Sequence, residues 1–321
     1  MKKFISKIFA FTIPIIILAY GIDIYLSSNL RKSSTFAHQE YPIWNDILEG
    51  NLNAEILIHG SSRAWVHFDP KILEDTLQLS AYNLGVDGHT FNMQHLRHKL
   101  ALKHNKKPKM VIYSVDATTL QKGNFFNSEQ ILPFMLWNKD IQEFTSQYTS
   151  YSFLDYKLPL LRYYGKTDAI STVLKMNFQS DNNEKLRVKG YKGQDRIWNN
   201  DFDNAKKLMK RYEVKIDEDL KQRFDSYLKA CKSNGIEVIL VYAPVYIEGQ
   251  EFIQNEDVLI HTYENFAETY DFKFFDFTND DICYNKAYFY NARHMNKTGS
   301  ELFTKKLASK IKAITVNNMT N

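Results

Sequence analysis

Cysteine is nearly absent from this sequence. The 321 residues contain two, Cys231 and Cys283, too few for a disulfide-stapled scaffold or a four-cysteine zinc site. They are either one bridge or two small buried hydrophobes. Neither sign of charge dominates, since 41 Lys and Arg against 37 Asp and Glu leave a net +4. Nucleic-acid binding needs clustered charge that neutralises phosphates, so no such partner is implied. Internal repeats and low-complexity tracts are lacking, and long apolar runs are missing beyond the N-terminus. With 44% hydrophobic and 24% charged residues, the chain is neither a polytopic membrane protein nor largely disordered. Its length suits one large domain or two small ones around a sizeable core.

One apolar run does stand out. Lys2, Lys3 and Lys7 precede a stretch from Ile8 to Leu26, interrupted only by Asp23, that is 19 residues long. A membrane-spanning helix needs roughly 20, and Pro14 is tolerable inside one. A cleaved signal peptide would need small residues at its cleavage site, and no Ala-x-Ala follows the run. The sequence therefore predicts an uncleaved signal-anchor over 1–26, with the lysines in the cytoplasm and the remainder outside, although Arg31 and Lys32 weaken the asymmetry. Asp23 keeps a buried helix of a soluble protein open, because an isolated carboxylate near the membrane is costly. Residues 27–50 read as a polar stalk with a short helix around Ile43–Leu48.

Five short apolar runs follow: Glu55–His59, Ala81–Leu84, Met110–Val115, Ile236–Tyr242 and Phe272–Phe275. Their length and their β-branched and aromatic content predict strands buried on both faces. Helical patterns lie between them at Phe91–Leu102, Asp217–Lys232, Asp257–Tyr270 and Ser300–Ile314, with Gly235 as the stop of the second. Strand–helix alternation implies an open parallel sheet with helices on both faces. The expected fold is α/β, a three-layer flavodoxin-like five-stranded parallel sheet spanning 51–321. A mostly helical insertion at about 121–216 breaks the alternation. It is rich in aromatics (Phe125, Phe126, Phe134, Trp137, Tyr151, Tyr163, Tyr164, Trp198) that either stack on sugar rings or pack a helical cap.

Ligands of such sheets bind at the carboxyl ends of the strands, and three blocks there carry chemistry. After the first strand comes Gly60-Ser61-Ser62-Arg63. A serine on a tight strand-to-helix turn is exposed at the sheet edge, and its N–H can face an oxyanion; a plain loop or helix cap reads the same way. After the second strand comes Asn83-Leu84-Gly85-Val86-Asp87-Gly88, whose glycines allow close backbone approach without completing a dinucleotide fingerprint. Near the C-terminus lies Asn291-Ala292-Arg293-His294-Met295-Asn296-Lys297-Thr298-Gly299, where a histidine on the same rim as Ser62 is placed to act as a general base.

In order and spacing these blocks resemble the SGNH (GDSL-like) hydrolase superfamily over about residues 51–315. The resemblance implies Ser62 as nucleophile, His294 as base and Gly88 N–H as an oxyanion donor beside that of Ser62. Two departures stand. The block after the third strand reads Tyr113-Ser114-Val115-Asp116-Ala117, without the family's oxyanion Asn, so Asp116 at that position is either an oxyanion- or substrate-binding residue or merely occupies the corner. Asn291 stands where the family has Asp; a neutral amide can orient the histidine but stabilises imidazolium less well, and its N–H₂ could favour the wrong tautomer.

Arg63 either holds an acidic substrate group or pairs with Asp87 or Asp116. His59 and His89 either line the pocket or lie in the core. His95 and His98 read as a solvated face rather than a metal site, Asp276 as a turn residue, and Lys206–Arg211 as solvated surface. No metal or cofactor is implied. The expectation is a serine esterase or O-acyltransferase with an acyl-enzyme on Ser62, acting outside the cytoplasmic membrane. By analogy with anchored relatives that modify cell-surface polymers, its substrate is an acyl ester or a cell-surface glycan. The alternative is a non-catalytic protein that holds a glycan or a membrane-bound acyltransferase partner.

Overall fold

The computed structural model describes residues 2–88, 91–123, 127–146, 151–176 and 187–320. His89, Phe125 and Phe126, named above as candidates, lie outside them. In chain order the first elements are helices α1 (Lys2–Leu30) and α2 (Glu40–Glu49), strand β1 (Ile56–Gly60), helices α3 (Ser62–His67) and α4 (Pro70–Leu77), and strand β2 (Ala81–Asn83). Helix α5 (Phe91–His104), strand β3 (Met110–Val115) and helices α6 (Lys139–Thr145), α7 (Thr167–Met176), α8 (Asp201–Leu208) and α9 (Glu218–Ser233) follow. The chain ends with β4 (Glu237–Tyr242), α10 (Ile247–Glu251), α11 (Glu256–Tyr270), β5 (Lys273–Asp276), β6 (Phe289–Asn291), β7 (His294–Met295) and α12 (Lys297–Thr320). Two compact units form: Met1–Asp46 with Phe126–Leu186, and Ile47–Phe125 with Arg187–Asn321.

The larger unit is the expected α/β fold. Its five strands are all parallel, in the order β2-β1-β3-β4-β5. Side chains alternate across a strand, and the two faces are packed differently. Ile56, Ile58, Ile112, Ile239 and Val241 bury against Leu73 of α4 and against Phe303, Leu307 and Ile311 of α12. The opposite face is aromatic: Tyr113 meets Phe91 of α5 and Phe224 and Tyr227 of α9. The strands in the middle of the sheet are buried as expected, whereas the edge strand β5 is only half-buried. Cys231 and Cys283 are buried free thiols.

The segment after Arg187 departs from the predicted helical insertion. It runs as an extended strap whose Lys189 carbonyl accepts the Asn83 N–H (2.9 Å) at the free edge of β2. The strap then bonds Trp65 through Lys192 N–H (3.3 Å), Lys297 N–H through the Gln194 carbonyl (2.9 Å) and the Tyr290 carbonyl through Asn199 N–H (2.8 Å). It thereby covers an exposed sheet edge and delivers α8 beside β6. Glycine is required where it presses hardest, because a Cβ on Gly190 (φ +80°) would lie 1.7 Å from the Asn83 carbonyl oxygen.

The smaller unit joins the end of α1 to the middle of the chain. Residues expected to be a polar stalk are packed here: Tyr41 and Trp44 are buried, bonding the Glu129 carbonyl (2.7 Å) and the Gln130 side chain (3.2 Å). Asp23 is also buried, and it is not isolated. Arg162 grips both of its oxygens at 2.7 Å, Leu160 N–H donates to it at 2.7 Å, and Ser27 at 3.2 Å. Phe134 and Tyr163 are buried in this unit, while Trp137 and Tyr164 stay exposed, Trp137 bonding Tyr20 at 3.2 Å. From Phe4 to Tyr25 the apolar side chains of α1 are largely exposed, and this helix is long and apolar enough to cross a membrane.

Candidate functional site

The chain reverses direction across the sheet between β1 and β3, and the carboxyl ends of these strands form the switch point at which doubly wound folds bind ligands. Ser61, just after β1, caps α3 by accepting the Arg63 N–H (3.3 Å) and donates its hydroxyl to Asp116, just after β3, at 2.5 Å. This link fixes the start of α3, and with it Ser62. Asn83 holds the other end of the helix, donating to the carbonyls of Ala64 and Phe68 at 2.8 Å each. Gly85 fits against the same helix with no room for a side chain, since a Cβ would meet Trp65 N at 2.5 Å.

Ser62 Oγ lies 2.9 Å from His294 Nε2. His294 Nδ1 lies 3.1 Å from Asn291 Oδ1, and the two residues face each other across the β6–β7 hairpin. The three-residue spacing works because Ala292 and Arg293 make the turn between them. Asn291 Oδ1 also accepts the backbone N–H groups of Arg293 (3.0 Å) and His294 (2.9 Å), while Asn291 Nδ2 donates to Asp201 Oδ2 at 3.2 Å. These partners fix the amide with its oxygen toward the imidazole. Nδ1 therefore carries the hydrogen and Nε2 presents its lone pair to Ser62, so the wrong tautomer considered above is not favoured. Tyr290 stacks on the His294 ring at 5.4 Å and His67 meets it edge-on at 5.9 Å.

Burial, and then the positive charges of Arg293 and Arg63, push His294 down to about 3. Asp116 behaves in the opposite sense. Burial acts to raise it, but the charges of Arg293 and Arg63 and the hydrogen bonds from Ser61 and Thr118 prevail and hold it below the usual carboxylate range. An ionised carboxylate only accepts hydrogen bonds, so Asp116 is no oxyanion donor. It is fully buried and taken up by Ser61, by Thr118 N–H (2.7 Å) and by the Thr118 hydroxyl (2.6 Å). The expectation of a binding role for Asp116 thus gives way to a structural corner.

Arg63 is likewise corrected. Its guanidinium is buried, donates to the carbonyls of Ala243 (2.5 Å) and Pro244 (3.2 Å), and lies 5.3 Å over the Tyr242 ring. It ties α3 to the end of β4. Asp87 accepts from Trp65 Nε1 at 3.3 Å. Gly88 lies exposed in the turn after β2 with φ +66°. His98 is buried rather than solvated: its Nδ1 lies 3.2 Å from His59 Nε2 in the core, and both are held well below the usual histidine range, first by burial. Asp276 bonds Thr278 N–H and hydroxyl at 2.9 Å each, as a turn residue does.

Beside the relay opens a cleft of about 320 Å³. Phe202 and Ala205 of α8, Met209 just after it, and Tyr212, Phe252 and Ile253, supply its apolar wall, and Asp201, Asn291, Arg293 and His294 its polar part. Asp201 and most of this wall were not singled out from sequence, and Met209 falls in the Lys206–Arg211 run expected to be solvated surface. They come from the region between the second and third sequence blocks; the strap carries α8 to β6, while Phe252 and Ile253 follow α10, whose Gly249 packs on Ala292.

No protein-family model and no curated protein matches the chain. Among solved structures, it is similar to a Bacteroides fragilis crystal structure described as a "putative acylhydrolase", at 13% identity and a TM-score of 0.32, covering 80% of this chain and 86% of that one.

Proposed function

We propose that this protein is a membrane-anchored serine esterase or O-acyltransferase whose acyl-enzyme forms on Ser62. The observation that carries the reading is the continuous relay from Ser62 Oγ through His294 to Asn291, at 2.9 and 3.1 Å. Ser62 Oγ attacks the ester carbonyl while its proton passes to His294 Nε2. The tetrahedral intermediate then expels the alcohol, which takes that proton, and leaves the acyl group on Ser62. Water or an acceptor hydroxyl, deprotonated by the same nitrogen, releases the acyl group. Asn291 acts through His294 as a positioning residue, and Asp201 acts through Asn291 in the same way.

In this reading α1 is the anchor and the lysines at its start face the cytoplasm. The buried Asp23–Arg162 pair supports it, because it leaves no unpaired carboxylate at the end of the apolar run. A cell-surface glycan is the acyl carrier or acceptor that this location favours. The downward shift of His294 favours a second reading, a binding protein with a weakened base. A fluorophosphonate probe and p-nitrophenyl acetate separate the two. Labelling and turnover should appear in the full-length protein and vanish in Ser62→Ala and His294→Ala. A folded wild type that neither labels nor turns over the ester would refute the enzyme.

A further inference from the structure

The cleft beside His294 is built for something longer than an acetyl group. At about 30 Å³ for a water-sized or methylene-sized group, its 320 Å³ holds about ten such groups. Its polar lining is confined to Arg293 and the bonded set Asp201, Asn291 and His294. The remaining wall offers little to a hydroxylated ligand. The Tyr212 hydroxyl already donates to Gln121 at 2.5 Å, and Phe202, Phe252, Ile253 and Met209 present carbon and a thioether. A sugar ring seated there would leave its hydroxyls unpaired, and each such loss is costly. A straight hydrocarbon chain leaves none. Met209, exposed just after α8, is the flexible kind of residue that accommodates such chains, and Gly249 on the cleft lining packs so closely on Ala292 that a Cβ there would meet it at 2.9 Å.

We infer that this cleft is the subsite for an aliphatic chain of about six to ten carbons attached to the ester that Ser62 attacks. The inference rests on the serine-esterase reading for its chemistry, but the cleft can be tested without it. The chain belongs either to the acyl group or to the alcohol, and two substrate series tell these apart.

The experiment uses full-length protein in detergent. One arm measures kcat/KM for p-nitrophenyl acetate, butyrate, hexanoate and octanoate. The other measures release of acetate from ethyl, butyl and octyl acetate. Complete burial of one methylene is worth about fourfold in binding. A cleft open on one side should therefore give at least tenfold between butyrate and octanoate in the first arm, or between butyl and octyl acetate in the second. Ala205→Trp, which fills the cleft from a half-exposed helical position, should bring that ratio close to one, with an unchanged circular dichroism melt as the folding control.

A readout independent of turnover uses Ser62→Ala, with decanoate contact measured by saturation-transfer NMR. The signal should exceed that of Ser62→Ala/Ala205→Trp, a comparison that removes partition into detergent. If no ester is turned over but decanoate still distinguishes these variants, the esterase reading fails and the aliphatic site stands. Flat chain-length profiles in both arms, together with equal decanoate signals, would overturn the inference.

Discussion

In the proposed relay Asn291 stands next to His294, and the carboxylate of Asp201 stands one hydrogen bond further out. The neutral amide thus passes on the influence of a charge it does not carry. Asp201→Asn should lower turnover of an activated ester about fivefold and leave KM little changed, because a stabilised imidazolium matters in the transition state. Asn291→Asp should retain or raise turnover. It also sets two carboxylates side by side, and like charges at that separation raise one pKa. The double variant Asn291→Asp/Asp201→Asn should therefore exceed Asn291→Asp alone, and steady-state kinetics on the set decide the matter.

The histidines make a second prediction at this scale. His294 and His98 are each pushed down to about 3 from an ordinary 6.5, and burial is the first cause in both. The base form of His294 then persists into acid, so the acid limb of the pH–kcat/KM profile should lie below the usual histidine value. For stability, the unfolded chain takes up these protons below about pH 6.5 while the folded chain resists until about pH 3. Stability should be flat above that window and fall as pH drops through it. His98→Gln should flatten the slope by about 1.4 kcal/mol per pH unit, as read from urea unfolding at several pH values.

At the scale of elements, the strap and the buried ion pair matter most. The strap depends on Gly190, where any side chain collides with the Asn83 carbonyl. Gly190→Ala should displace the segment that carries Asp201 and lower turnover about as much as Asp201→Asn, roughly fivefold, since it acts through the same positioning residue. Arg162→Ala would leave Asp23 charged and buried without its partner. Breaking such a pair costs about 3–5 kcal/mol, whereas replacing both members with apolar residues is far milder. Thermal melts of Arg162→Ala and of Asp23→Leu/Arg162→Leu should show a large loss and a partial recovery.

For the whole molecule, the prediction concerns location. The full-length protein should stay with membranes through an alkaline carbonate wash, held by α1; release as an intact soluble chain would remove the anchor from the proposal. Much of the α/β unit was legible beforehand. Five strands and four of the longer helices are found within a few residues of their expected positions, because a strand buried on both faces must be a short apolar run and an amphipathic helix must repeat its apolar positions. These are local constraints, written in neighbouring residues. The Gly60–Arg63, Asn83–Gly88 and Asn291–Gly299 blocks were visible for the same reason, each being a short turn motif. Tertiary structure alone decided what each polar residue near them does. Arg63 and Asp116 looked like site residues and are buried struts, Asp23 looked like an isolated charge and is paired with Arg162, and Asp201 carried no local signal at all. Such roles depend on which distant atom lies within hydrogen-bond reach, and that is fixed only when the sheet, the strap and the hairpin close on one another.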